Sequence, residues 1–249
     1  MLKKTLQDCR VLLRSIPSPT VALFTVAVVV MNLLANKELI SLPYLALDCG
    51  FCVSWVSFLC MDMICKRFGA KASVTVSILA LLVNLAVSIL FWLMSLTPGM
   101  WGAYYSYGSL EVNAALNATF AGSWYVVFGS SCAMVCSSIA NSFLNVSIGR
   151  KLRKNNFASF AIRSYVSTLI GQFVDNFVFA AIVSHNFFGW TWTQVIACSL
   201  TGAVMELLCE VFLSPVGFRV VKGWERDGVG EEYLALHPEA RQTPEAQHA

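Results

Sequence analysis

The sequence predicts an all-α membrane protein with six transmembrane helices and both termini in the cytoplasm. Composition, continuous apolar segments and the placement of basic residues support this prediction. Of 249 residues, 57% are hydrophobic and 12% are charged, which is about half the charged share of an average soluble domain. The mean hydropathy is +0.67. Such a composition argues against a soluble enzyme, a nucleic-acid-binding protein and a disordered chain.

Long stretches of the chain hold almost no charge. Between residues 72 and 149 there is no lysine or arginine, and Glu111 is the only acid. These stretches are continuously apolar and lack the short alternation of a transmembrane β-barrel, so helices are favoured. The predicted spans are residues 19–37, 46–65, 72–96, 121–147, 160–184 and 191–221.

The basic residues determine the predicted orientation. Fifteen of the 17 lysines and arginines lie near the ends of the predicted spans, on one side of a six-span protein. They fall in residues 1–14, in the 66–71 and 150–163 connections, and just after residue 218, whereas Lys37 falls on the other side. Cytoplasmic loops carry the excess of positive charge, so both termini are predicted inside.

The chain divides into three predicted parts. Residues 1–18 form a basic cytoplasmic segment, residues 19–222 form the six-helix domain, and residues 223–249 form a polar tail that we expect to be disordered. The first apolar run lacks a cleavage site and is interpreted as a signal anchor. The aromatic connection 98–121 is predicted to be an interfacial belt or a lid over an outward-facing site.

Acidic residues within the predicted spans are the first candidates for a functional site, because ionisable groups are costly inside a bilayer. Asp175 lies 12 residues beyond Arg163, or about 18 Å along a helix, which is near mid-membrane. Gln172 and Phe179 share its helical face, and Asn176 is adjacent.

The last predicted span brings two more carboxyl groups. Glu206 lies at a depth similar to that of Asp175, and Glu210 follows one turn later. Carboxylates, carboxamides and aromatic rings together suit a planar heterocycle with N–H donors on one edge, and they equally suit a cation. The carboxamides and aromatics of this set are Asn32, Asn36, Gln172, Asn176, Phe179 and Trp55.

Structural roles are the alternative for these residues. Asparagines in membrane helices often only bond neighbouring helices. Asp62 lies four residues before Lys66, at the spacing of a helical ion pair. Arg163 is placed to extend towards the inner interface, and either Glu206 or Glu210 would be protonated or paired.

No metal site, cofactor site or enzyme constellation is predicted. The nine cysteines lack histidine or further cysteine partners at metal-ligand spacing, and they read as small packing residues. There is no P-loop, so energy for any transport must come from a gradient, from trapping of the substrate or from a partner.

Four segments together carry a family resemblance. They are Met31–Lys37, Met61–Gly69, Ile162–Asn176 and Leu213–Phe218. The third contains the ordered pattern Arg-Ser-x-x-Ser-Thr-x-x-Gly-Gln-x-x-Asp, which is the most specific part. Over residues 20–222 the chain resembles the queuosine precursor transporter family, also labelled vitamin-uptake-transporter-like.

The resemblance implies a six-helix importer in the bacterial inner membrane. Its substrates would be 7-deazaguanine bases: 7-cyano-7-deazaguanine, 7-aminomethyl-7-deazaguanine or queuine, which feed queuosine modification of transfer RNA. One position departs from the family, because members often carry a lysine where this chain has Glu206, nine residues before Pro215. The family's recurring positions correspond to Asn32, Asn36, Asp62, Arg163, Gln172 and Asp175.

We therefore predict a facilitator or secondary transporter that is not an enzyme. Its transport would be driven by a proton or sodium gradient or would be passive. Its expected partners are the 7-deazaguanine substrate and the lipid bilayer, and no nucleic acid is expected to bind. A homodimer and a 3+3 inverted repeat are compatible with this prediction. The alternatives are the substrate-binding membrane subunit of an ATP-driven vitamin-type importer and a non-transporting membrane scaffold.

Overall fold

The computed structural model describes residues 2–97, 109–151 and 157–241. These residues are almost entirely helical. The helices are α1 (Leu2–Ser15), α2 (Ser18–Leu34), α3 (Phe51–Phe68), α4 (Ala70–Ser95), α5 (Ser109–Lys151), α6 (Phe157–Phe179), α7 (His185–Phe188), α8 (Trp192–Arg226) and α9 (Glu231–Leu236). Strands β1 (Glu38–Ser41) and β2 (Ala46–Asp48), a π-helical turn (Ala180–Ser184) and a 3₁₀ turn (Pro238–Arg241) complete the elements.

Helices α2, α3, α4, α5, α6 and α8 overlap the six predicted spans. Within the described residues, three helical segments are long and apolar enough to cross a membrane. They are Ala70–Ser95, Glu111–Ser137 and Trp192–Leu213, and the bent pair Gln7–Ser15 and Ser18–Leu34 raises the number to four if it forms one span. A membrane protein is therefore supported, while six spans, cytoplasmic termini and an inverted repeat stay predictions.

Helix α4 shows the reversed packing of a membrane helix. Its small residues Ala72 and Ala80, with Val76 between them, recur every fourth position and are fully buried. Its larger side chains Ile78 and Leu82 are 48% and 58% exposed. Small residues let neighbouring helices approach closely. Large apolar side chains on the outside of the helix are favourable in contact with lipid but not with water, so this pattern is typical of a membrane helix.

A two-stranded hairpin departs from the all-α prediction. Strands β1 and β2 pair antiparallel around a turn in which the Leu42 N–H donates to the Leu45 carbonyl at 2.7 Å. The predicted second span begins at residue 46, whereas α3 begins only at Phe51. Asp48 explains the later start, because its Oδ1 accepts from the Gly50 and Phe51 N–H groups at 2.7 and 3.3 Å and organises the turn into the helix.

The structure divides into two compact units. Unit 1 comprises Met1–Val30, Val53–Asn84 and Cys209–Ala249, and unit 2 comprises Met31–Cys52 and Leu85–Leu208. The division falls within helices α2, α3, α4 and α8.

In unit 1 the two ends of the chain meet. Helix α1 packs against α9. Phe68 is fully buried, with its ring centroid 6.3 Å from that of Trp224 and 6.2 Å from that of Tyr233. The Arg67 guanidinium donates two hydrogen bonds to the Val229 carbonyl, at 3.0 and 2.7 Å. The folded helix α9 thus lies inside the tail that the sequence predicts to be disordered, and residues 242–249 lie outside the described residues.

In unit 2 the main contact is between α5 and α6. The π-helical turn follows α6, and the Asn186 side chain donates to the carbonyls of Ala181 and Ile182 at 2.9 and 3.1 Å. Gly189, at φ 71°, then ends α7. Single π turns are frequent at functional sites. Of the predicted belt or lid at 98–121, residues 109–121 belong to α5 and residues 98–108 lie outside the described residues.

Candidate functional site

The carboxyl group of Asp175 lies where α6 contacts α5. The Ser137 hydroxyl of α5 donates to Asp175 Oδ1 at 2.8 Å. The side chain of Asp175 is partly buried. A carboxylate has room for several hydrogen bonds on its two oxygens, and the Ser137 hydroxyl is a neutral donor.

A second polar contact connects α6 with α8. Asn176 Nδ2 donates to Glu206 Oε2 at 3.1 Å, and Glu206 is only 5% exposed. Gly202, one turn before Glu206, permits this approach, since a Cβ there would lie 2.8 Å from Asn176 Nδ2. The structure therefore brings Glu206, an acid of the last predicted span, next to Asn176 of α6.

Gln172 lies one turn before Asp175 and is 7% exposed. Its Oε1 has no hydrogen-bond partner among the described residues. A buried acceptor without a donor costs about 1–3 kcal/mol. A ligand N–H that reached Gln172 Oε1 would remove this penalty, so the residue is suited to reading a donor.

Asn32 and Asn36 lie at the end of α2 and have different roles. Asn32 is 4% exposed, and its Oδ1 accepts from the Ser130 hydroxyl at 2.6 Å. Asn36 lies just beyond the helix end, where its Nδ2 donates to the carbonyls of Asn32 and Leu33 at 3.3 and 3.1 Å. Carbonyls at a helix end lack intrahelical donors, and here the Leu33 carbonyl also accepts from the Asn36 backbone N–H at 3.3 Å. Asn36 therefore stabilises the helix end, with a long contact from the Tyr125 hydroxyl at 3.4 Å.

The α5–α6 contact places these groups at two levels. Ser137 meets Asp175, and a Cβ added to Gly129 would meet Val183 Cγ2. Eight residues back along α5 thus correspond to eight residues forward along α6 and the π-helical turn that follows it, so the two segments are antiparallel. Ser130, the partner of Asn32, lies seven residues before Ser137 on the same face of α5, which is about 10 Å along the axis.

The two predicted aromatic residues belong to different units of the structure. Phe179 is partly buried and packs against Ala35, Val126 and Val183. Trp55 belongs to unit 1 and is 38% exposed. A stacking role for either stays a prediction.

Three predicted site residues cannot be placed as side chains. Asp62, Arg163 and Glu210 lie within α3, α6 and α8, but their side chains are outside the described part of the structure. Their proposed roles, including the Asp62–Lys66 ion pair, therefore stay predictions.

Sequence reasoning missed both the serines and the hairpin contacts of this unit. Ser130 and Ser137 are common residues in apolar helices, and nothing local distinguishes them. At the hairpin, the Trp190 indole N–H donates to the Glu38 carboxylate, and Gln194 Nε2 donates to the Leu42 carbonyl at 2.8 Å. These pairs are separated by 152 residues, so only the fold reveals them.

The polar side chains on α6 and their neighbours are suited to hydrogen bonding. Among the described residues, no three metal-binding side chains converge. The carboxyl groups of Asp175 and Glu206 and the carboxamide oxygen of Gln172 are of the type that accepts N–H groups.

Residues 48–220 match the family described as "putative vitamin uptake transporter". The chain belongs to this family. No curated protein and no solved structure matches the chain significantly.

Family membership confirms the resemblance read from the sequence. The matched region contains Gln172, Asp175, Asn176 and Glu206, whereas Asn32 precedes it. A vitamin-type uptake family, together with long apolar helices, supports a membrane transport protein. It is also consistent with the prediction that the chain is not an enzyme.

Proposed function

We propose that this protein imports 7-deazaguanine bases that are precursors of queuosine. The observation that carries this proposal is the pair of acceptors on α6, the buried Gln172 and the partly buried Asp175, in a member of a vitamin-type uptake family. The substrates would be 7-cyano-7-deazaguanine, 7-aminomethyl-7-deazaguanine or queuine, which the sequence resemblance implies.

Shape and hydrogen bonding make this substrate class suitable. A 7-deazaguanine presents a ring N–H and an exocyclic amine on one edge, both of which are donors. Asp175 and Gln172 lie three residues apart on one face of α6, so their acceptor oxygens project to the same side. A neutral base with two adjacent donors would donate to the Gln172 oxygen, which has no partner in the described part of the chain, and to the Asp175 carboxylate.

Glu206 and Asn176 would complete the site from the other side of α6. A carboxyl group that is 5% exposed and accepts from an amide is able to hold a proton in place of a ligand. This favours a facilitator or a proton-coupled secondary transporter, in which the substrate site opens alternately to the two faces. We place the protein in the bacterial inner membrane, with sodium coupling and homodimer formation as further proposals.

Complementation in a bacterium tests this function. The host lacks its own deazaguanine importer and cannot make the base, and it receives each precursor at low concentration while queuosine in its transfer RNA is measured. Wild-type protein should restore queuosine with at least one precursor. Asp175→Asn should abolish restoration at an equal membrane level, because a carboxamide cannot replace the acidic acceptor.

The matched control is Asp227→Asn, since Asp227 is an exposed aspartate paired with Arg226 outside unit 2. This variant should transport normally. Normal uptake by Asp175→Asn would refute the site. If wild-type protein is present in the membrane but restores no queuosine, autonomous import is refuted and the partner-dependent subunit is favoured. If variants at both Asp175 and Glu206 restore queuosine as well as wild-type protein does, neither carboxyl group takes part in transport and a scaffold is favoured.

A further inference from the structure

We propose that Asn32 and Ser130 form a second binding station, which takes a hydrogen-bond acceptor of the same planar base before the base reaches Asp175. The proposal rests on the proposed import function and adds a step to it. It treats Asn32 as a separate subsite, whereas the sequence alone places Asn32 and Asp175 in one site.

The first argument is distance. Asn32 is bonded to Ser130, and Asp175 is bonded to Ser137. The two serines lie seven residues apart on α5, which separates the levels by about 10 Å. The hydrogen-bonding edge of one bicyclic base is much shorter than this separation, so one bound base cannot engage both levels.

The second argument is the state of the Asn32 amide. Its oxygen accepts from Ser130, which fixes the amide plane, and the residue is 4% exposed. Its Nδ2 has no hydrogen-bond partner among the described residues. A buried donor of this kind is satisfied by a carbonyl oxygen or ring nitrogen of a ligand. The station therefore selects an acceptor, whereas Gln172 and Asp175 select donors.

The third argument is the position of Phe179. It lies four residues after Asp175, and its ring packs against the cluster of Ala35, Val126 and Val183. A Cβ on Gly129 would lie 3.7 Å from Phe179 Cδ2, so the ring lies close to the level of Ser130. A base that moves from Asn32 towards Asp175 would therefore have to pass this apolar ring.

Uptake kinetics and equilibrium binding together test the station, with 7-cyano-7-deazaguanine as the probe. Asn32→Ala should raise the KM of uptake about fivefold to tenfold, the value of one hydrogen bond. It should change the Kd of purified full-length protein by less than about twofold, since the tighter site at Asp175 is intact. Asn32→Asp keeps the acceptor for Ser130 but removes the donor, and it should match Asn32→Ala.

Asn84→Ala is the control. Asn84 is 3% exposed with an unpartnered Nδ2 like Asn32, but it belongs to unit 1. It should leave the KM unchanged. The station is refuted if Asn32→Ala leaves the KM unchanged, or if it weakens equilibrium binding as strongly as Asp175→Asn does.

A second measurement does not depend on the substrate. Ser130→Cys and Ser137→Cys are treated in intact cells with a membrane-impermeant thiol reagent, and the label at each position is read by peptide mass spectrometry. Residue 130 should react at least tenfold faster than residue 137, and Phe179→Ala should accelerate labelling of residue 137. Equal rates would overturn the separation of stations. If wild-type protein neither binds nor imports any 7-deazaguanine, the proposed function fails, and this labelling alone decides whether two levels exist.

Discussion

Replacing Gly202 by alanine tests the contact between α6 and α8 most directly. The added Cβ would lie 2.8 Å from Asn176 Nδ2 and 3.2 Å from its Cγ. Ordinary contacts are longer, so the Asn176 side chain must move by a few tenths of an ångström or more. That movement strains the 3.1 Å hydrogen bond to Glu206.

The size of the effect follows from two contributions. Forcing an extra methyl group into a packed contact costs about 1–3 kcal/mol, and weakening the hydrogen bond from Asn176 to Glu206 costs about 1 kcal/mol more. Binding would weaken about tenfold for each 1.4 kcal/mol that falls on the site. We therefore expect Gly202→Ala to lower uptake at least tenfold and to lower the thermal midpoint in detergent by several degrees.

Gly223→Ala is the matched control in the same helix. Nothing lies within 4 Å of a Cβ at Gly223, and alanine is favoured over glycine inside a helix by about 1 kcal/mol. This variant should transport normally and melt at an equal or higher temperature. A double variant of Gly202→Ala and Asn176→Ala should be no worse than Asn176→Ala alone, because the clash has lost its partner. Additive losses, or wild-type uptake by Gly202→Ala, would refute the described contact.

Three further outcomes are expected. Desolvation raises the pKa of Asp48 to about 6, although two backbone hydrogen bonds lower it. The folded state therefore favours the protonated carboxyl, and the protein should lose stability as the pH rises from about 4 to 6. Asp48→Asn should flatten this pH dependence of the thermal midpoint. Arg67→Lys should hasten protease cleavage after Trp224, because an ammonium cannot donate both bonds to Val229; unchanged cleavage would argue against this anchor. Asn36→Ala should lower the free energy of unfolding by about 1 kcal/mol and lower the thermal midpoint accordingly, because the end of α2 loses the side-chain donor of Asn36. A gain in stability would contradict the capping role.

Much of the helical fold could be predicted from the sequence, because apolar runs of membrane length need only composition to be recognised. The hairpin could not, since strands of four and three residues lack a pattern and are held by the distant residues Trp190 and Gln194. Helix α9 was missed for a similar reason. Its burial depends on Tyr233 and Leu234 docking in unit 1, and the local sequence is polar.

Within the candidate site, the acids were visible as charged residues in apolar surroundings. Their partners were not, because Ser130, Ser137 and Gly202 look like ordinary small residues of membrane helices. The separation of Asn32 from Asp175 also needed the fold, since it depends on which turn of α5 each residue contacts. The sequence thus identified the polar groups, but it could not show which of them lie near Ser130 and which lie near Ser137.

The discontinuity of unit 1 has a consequence for biosynthesis. Every residue of unit 2 has been synthesised once Leu208 emerges from the ribosome, whereas unit 1 still awaits Cys209 onwards. Helix α1 is synthesised more than 200 residues before its partner α9, so their contact must wait for α9. Contacts this distant in sequence form slowly and leave early segments exposed. Membrane quality-control proteases would therefore act mainly on chains stalled or truncated before α9.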